Sequence, residues 1–87
     1  MKADNGSVLR LLRTARGQMD GIIRMVEEDR YCVDISNQIL ATQSILQKVN
    51  REIIRAHLKG CVRDAFASGE ADAKIEEMIA LLDKMAK

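Results

Sequence analysis

Three residues in this chain have the chemistry to hold a soft metal ion or to react through sulfur: Cys32, His57 and Cys61. They are its only two cysteines and its only histidine. His57 and Cys61 are four residues apart, so on a helix they project the same way. Cys32 stands 25 residues before His57. If the intervening stretch is an unbroken helix, the two are about 37 Å apart at 1.5 Å per residue. One chain cannot close a site with all three across that distance. Two copies packed antiparallel can, because Cys32 of one meets His57 and Cys61 of the other, and symmetry then makes two identical sites per dimer.

Two thiolates and an imidazole suit Cu(I) or Zn(II), and suit Mg(II), Ca(II) or Mn(II) poorly. Three ligands complete a Cu(I) site. Zinc usually takes a fourth, and no further Cys or His is present. From spacing alone the same residues also read as an interfacial histidine with two buried cysteines.

The elements that must carry these residues are helices. The chain has no proline and is rich in Ala, Leu, Ile, Met, Glu, Lys, Arg and Gln. Ser7 is the expected cap of a first helix, whose apolar or small residues Val8, Leu12, Ala15, Met19, Ile22 and Val26 recur in steps of four and three. Gly17 and Gly21 would each weaken that helix by about 1 kcal/mol relative to Ala, which predicts the close approach of another helix. The first helix should end in Glu27-Glu28-Asp29-Arg30. A second, longer one then carries Ile35, Ile39, Thr42, Leu46, Val49, Ile53 and Ala56, runs on to about Ala67, and stops at Ser68-Gly69. Gly60 is its one weak point. A short third helix places Ile75, Met78, Ile79, Leu82 and Met85 on one face.

The expected fold is therefore all-α, one domain over residues 1–87, with three helices and the middle one dominant. With one Phe, one Tyr and no Trp, 87 residues build a small core, so association is the expected way to bury the remaining apolar surface. Pairing the long helices antiparallel gives a four-helix-bundle dimer, the geometry that the Cys and His spacing requires. No apolar run is long enough to span a bilayer and Met1–Ser7 has no apolar core, so neither a membrane span nor a secretory signal is expected. Net charge is +1, distributed as +3 over residues 1–26, −3 over 27–34, +4 over 35–63 and −3 over 64–87. Basic charge thus lies on the first two helices, either as solvated faces or as a surface for a polyanion.

The stretch Arg16-Gly17-Gln18-Met19-Asp20-Gly21-Ile22 resembles the RGQ-x-x-GI signature of the CsoR/RcnR family of small bacterial metal- and stress-sensing repressors. Asp29-Arg30-Tyr31-Cys32-Val33-Asp34-Ile35 and the pair His57 and Cys61 extend the resemblance from about Leu9 to Leu82. The order Cys, His, Cys looks like the copper-sensing operon repressors. Nickel and cobalt sensors of the family add an N-terminal histidine and replace the last cysteine, whereas this chain has Ala3 and Cys61. Persulfide sensors keep both cysteines and lack the histidine, whereas this chain has His57.

The resemblance implies a non-enzymatic, cytoplasmic repressor, a dimer of antiparallel dimers that binds operator DNA and leaves it when Cu(I) binds Cys32, His57 and Cys61. The alternative within the family is a persulfide or thiol-oxidation sensor using Cys32 and Cys61. The resemblance also makes Tyr31 and Glu77 outer partners of the site, Glu77 accepting from the His57 ring N–H. DNA contacts would come from Arg10, Arg13 and Arg16 on the first helix and Lys48, Arg51 and Arg55 on the second. A basic residue frequent in the family at position 11 is Leu11 here.

Overall fold

A computed structural model describes residues 1–86, with the side chains of Cys61, Val62 and Ala71 outside the described set. It contains α1 (Asn5–Glu27), α2 (Cys32–Ser68) and α3 (Ala71–Met85), and among the described residues no strand. The fold is all-α, as the sequence predicts. α2 is unbroken over 37 residues. At 1.5 Å per residue it is about 55 Å long, and the molecule's longest dimension is 56 Å. α1 runs back along α2 as an antiparallel hairpin, and α3 packs on α2 and, among the described residues, not on α1.

The helix ends have local causes. Asp4, not the expected Ser7, caps α1: its carboxylate accepts from the Gly6 N–H at 3.2 Å. The Ser7 hydroxyl donates to Glu52 on α2 at 3.2 Å instead. α1 ends in a Schellman turn. Asp29 takes the left-handed conformation (φ 53°), and the Arg30 and Asp29 N–H groups donate to the Met25 and Val26 carbonyls. Gly69 (φ 82°) ends α2, and here the missing Cβ matters because L side chains rarely adopt that backbone. Cys32 is the first residue of α2, directly after the N-cap residue Tyr31.

The seam between α1 and α2 differs in part from the expected row. Val8, Ala15 and Ile22 are buried as predicted, but the positions between them are the half-buried Leu11, Gln18 and Met25. Leu12, Met19 and Val26 stay 39%, 48% and 59% exposed. On α2, Thr42 and Val49 are buried while Ile39 and Leu46 are not. A polar pair helps to set this register. Thr42, 3% exposed, places its hydroxyl 2.8 Å from the Gln18 side-chain carbonyl and 3.1 Å from the Gln38 backbone carbonyl. Leaving a buried polar group such as the Thr42 hydroxyl unpaired costs about 1–3 kcal/mol, so the pair favours this register.

Thr42→Val keeps the shape and removes the hydroxyl. It is expected to destabilise the protein by about 1–2 kcal/mol in urea unfolding at fixed chain concentration. An unchanged midpoint would show that the hydroxyl is dispensable to the seam.

Two further expectations are corrected. A Cβ on Gly17 would meet nothing within 4 Å, and one on Gly21 only the Arg24 side chain at 3.9 Å, so no helix of this chain crowds them. On α3 the half-buried or buried row is Lys74, Met78, Leu81 and Met85, with Met78 the most buried at 5% exposure. Ile79 and Leu82 are exposed.

Candidate metal centre and nucleic-acid interface

The hairpin has two broad faces of opposite character. On one, Met19, Ile39 and Leu46, left over from the seam, line an open hollow of about 240 Å³ with Ile22, Thr42 and Gln43 of the seam's edge. Counting in sevens along α2, two helical turns at a time, puts Cys32, Ile39, Leu46, Ile53 and Gly60 on one row. His57 lies on the neighbouring row with Ser36, Gln43 and Asn50, by the same count. Cys32 and His57 thus stand at opposite ends of one exposed, largely apolar face. Cys32 is a free, exposed thiol in the first turn of α2, and His57 is half-buried. The side chain of Cys61 lies outside the described residues.

Because α2 is continuous, the separation of about 37 Å between Cys32 and His57 holds in the folded chain. Among the described residues, no three His, Cys, Asp or Glu side chains converge as a metal cage. The donor set fits a soft ion in chemistry, and the fold keeps Cys32 apart from His57 within one chain.

The outer partners expected from the resemblance are on the surface. Tyr31, 66% exposed, occupies the N-cap position of α2 beside Cys32 and makes no capping bond through its side chain. Glu77 is exposed, and its carboxylate stands 3.6 Å from the Lys74 ammonium on its own helix. That ion pair lies within α3, one turn away.

The second broad face is polar and basic. Helical counting puts Arg10, Gly17, Gly21 and Arg24 on one row of α1. Gly21 and Arg24 open into a hollow of about 360 Å³ shared with Gln18, Met25, Glu28, Arg30 and Gln38. Further along the hairpin Lys48, Arg51 and Arg55 are all exposed and border a groove with Ile54 and Leu58 of α2 and Leu82 and Met85 of α3. The six expected DNA-contacting residues divide here. Arg10, Lys48, Arg51 and Arg55 belong to the basic side. Arg13 and Arg16 flank a different hollow with Leu9 and Leu12, toward the apolar side. The spacing of Leu9 and Leu12 relative to the seam carries that division, but only once the seam is known.

Sequence reasoning assigned no role to Gln18 beyond the motif, nor any to Lys2. Gln18 is the cross-helix partner of Thr42. Lys2 forms an ion pair with Asp64 at 3.0 Å. A polar residue recurring within an apolar heptad is the signal that could have found the first. The second joins positions 62 residues apart and leaves no local trace.

Comparison with known proteins agrees with this architecture. Residues 4–84 match the metal-sensitive transcriptional repressor family. The copper-sensing transcriptional repressor CsoR of Mycobacterium bovis (strain BCG / Pasteur 1173P2) is 44% identical over 79 residues, covering 91% of this chain and 66% of that protein. The chain thus spans just under two thirds of the length of that relative. CsoR of Bacillus subtilis (strain 168) is 41% identical over 76 residues, covering 87% of this chain and 75% of that one. Among solved structures, the copper-sensing repressor CsoR with Cu(I) from Geobacillus thermodenitrificans NG80-2 superposes with a TM-score of 0.87 at 32% identity. That match covers 94% of this chain and 85% of the other. The nickel-responsive regulator InrS superposes at 0.81 with 26% identity, over 97% and 94% of the two chains. With three helices in the same arrangement and a family match over nearly its whole length, this chain belongs to the metal-sensitive transcriptional repressors, a class of gene regulators and not of enzymes.

Proposed function

We propose that residues 1–87 act as one unit, a cytoplasmic Cu(I)-responsive repressor that works as a homo-oligomer. The single observation that carries the reading is the position of Cys32 and His57 at the two ends of one exposed apolar face of an unbroken helix. An antiparallel two-fold that brings Cys32 to positions 57–61 of a partner has its axis beside Leu46, because 46 lies close to the midpoint of both pairings. The same axis sets Ile39 against position 53. Leu46 and Ile39 are 46% and 42% exposed in the single chain. The pairing that completes the site therefore also buries the leftover apolar row in a four-helix bundle. Two such dimers make the assembly that the family resemblance implies.

Cys32, with His57 and Cys61 of a partner subunit, would hold Cu(I). Two thiolates and an imidazole match its softness and low coordination number. Bound there, the ion would supply a link between two chains. Everything else falls to the protein's own residues. Arg10, Lys48, Arg51 and Arg55 present positive charge on the face away from that contact, and each phosphate neutralised would add to affinity through counterion release. Arg13 and Arg16 remain candidates at the margin of the surface. The two faces belong to the same pair of helices, so a change in how hairpins pack across the apolar side alters the spacing of the basic rows on the other. Tyr31, next to Cys32, and Glu77 on α3 are the outer partners in this reading. Glu77 would have to exchange Lys74 for the His57 ring.

Operator release with Cu(I), Zn(II), Ni(II) and a persulfide donor, run side by side on wild type and His57→Ala, tests the assignment. Cu(I) is expected to release wild type, and His57→Ala to keep its metal-free DNA affinity while losing most of the Cu(I) response. The exposed Cys32 thiol supports a second reading, sensing through sulfur alone. Release of both proteins by the persulfide donor, with a Cys32–Cys61 link between chains and no effect of His57→Ala, would select that one.

A further inference from the structure

We infer that the N-terminal arm, residues 1–4, is a brace for the part of α2 that carries His57 and Cys61, with Lys2 as the positioning residue and Gly60 as its seat. This rests on the metal-site reading above. The hairpin register shows why a brace is needed. Gln18 pairs with Thr42 and Ser7 with Glu52, so α1, which begins at Asn5, runs out alongside residue 55 or so of α2. Everything from His57 to Ser68 projects past the end of α1. On that side the arm is what continues the line. The Lys2 ammonium reaches Asp64 at 3.0 Å. Its aliphatic stem lies over Gly60 so closely that a Cβ there would come within 2.9 Å of it. Ala3 is half-buried.

A glycine inside a helix is otherwise a weak point, costing about 1 kcal/mol relative to alanine. Here it removes the one atom that would push the lysine stem away. Ligands projecting from an overhanging helix end must meet a thiolate on another chain, and metal sites need their ligands held to about 0.5 Å. A strut from Lys2 to Gly60 and Asp64 limits the sideways swing of that end. α3 meets the same stretch on another side, where Lys74 lines a hollow with Asp64, Ala65 and Ser68.

Two changes remove the strut by different means. Lys2→Ala deletes the stem and the charge. Gly60→Ala leaves Lys2 intact and fills its seat, and the clash is with a flexible side chain that can move away. Cu(I) affinity is measured in the full chain by anaerobic competition with bathocuproine disulfonate, alongside thermal unfolding and the rate of proteolysis within residues 1–7. Both variants are expected to bind Cu(I) about 10-fold more weakly, the low end of the range for loss of a residue supporting metal ligands, and to be cut faster in the arm. Lys2→Arg should restore wild-type affinity. Gly60→Ala should at the same time unfold at a higher temperature, since alanine favours the helix. Higher stability with weaker metal binding is a combination that a purely structural role for Gly60 does not produce.

Wild-type Cu(I) affinity in both variants, with His57→Ala strongly weakened, would overturn the brace and leave the metal site standing. If His57→Ala also matches wild type, the metal reading fails and the brace with it.

Discussion

Leu46→Glu and Leu46→Lys, each made alone, are expected to leave the chain unable to pair, and mixing the two to restore a dimer. The expectation follows from the midpoint argument. In an antiparallel register that brings Cys32 to positions 57–61, Leu46 sits beside the two-fold axis and close to its own copy. Two like charges juxtaposed there cost several kcal/mol, and opposite charges do not repel. Because Cys32 and His57 are far apart in one chain, loss of the dimer should remove tight Cu(I) binding altogether, although neither variant touches a ligand. Sedimentation of each variant and of the mixture, with Cu(I) competition on the same samples, reads both effects. A Leu46→Glu protein that sediments like wild type would place the contact surface elsewhere. Rescue in the mixture is the sharper result, since a merely unfolded variant has no partner to recover with.

Mixing Cys32→Ala with His57→Ala subunits should regain Cu(I) binding that each lacks alone. In a heterodimer one site receives Cys32 from the second chain and His57 and Cys61 from the first, and is complete. Both substitutions gather in the other site. Random exchange makes half of the dimers mixed, each with one good site of two, so about a quarter of the wild-type capacity should return by the symmetry of the pair. The measurement is tight Cu(I) bound per chain, with differently tagged subunits to show that heterodimers formed. Tagged heterodimers with no regained site would refute a centre built across chains. This experiment depends on no knowledge of the operator, and it separates assembly of the site from its effect on DNA.

Much of this protein was legible from residue types and spacing. The absence of proline, the Ser68-Gly69 stop, the acidic turn after Glu27 and the long uninterrupted stretch between Cys32 and Cys61 determined three helices with a dominant second one. Helical geometry turned that into a distance, and the distance turned three ligand-type residues into an argument for more than one chain. The RGQ-x-x-GI signature pointed to the family that the comparisons bear out.

What the tertiary structure decided is which apolar row faces inward. Val8, Ala15 and Ile22 belong equally to a row completed by Leu12, Met19 and Val26 and to one completed by Leu11, Gln18 and Met25. A period of three and four residues is satisfied by both, and hydrophobicity alone favours the first. The second row packs within the chain because Gln18 meets Thr42 at 2.8 Å, a pairing that periodicity does not encode. That rotation frees the more apolar row and gathers it with Ile39 and Leu46. It also turns Gly17 and Gly21 outward and sets Arg10 apart from Arg16. Local sequence settles where a helix runs and ends, since its hydrogen bonds join residues four apart. The side of it that meets a neighbour is settled by contacts such as Gln18 with Thr42 and Lys2 with Asp64, made between residues 24 and 62 positions apart, which exist only once the chain has folded.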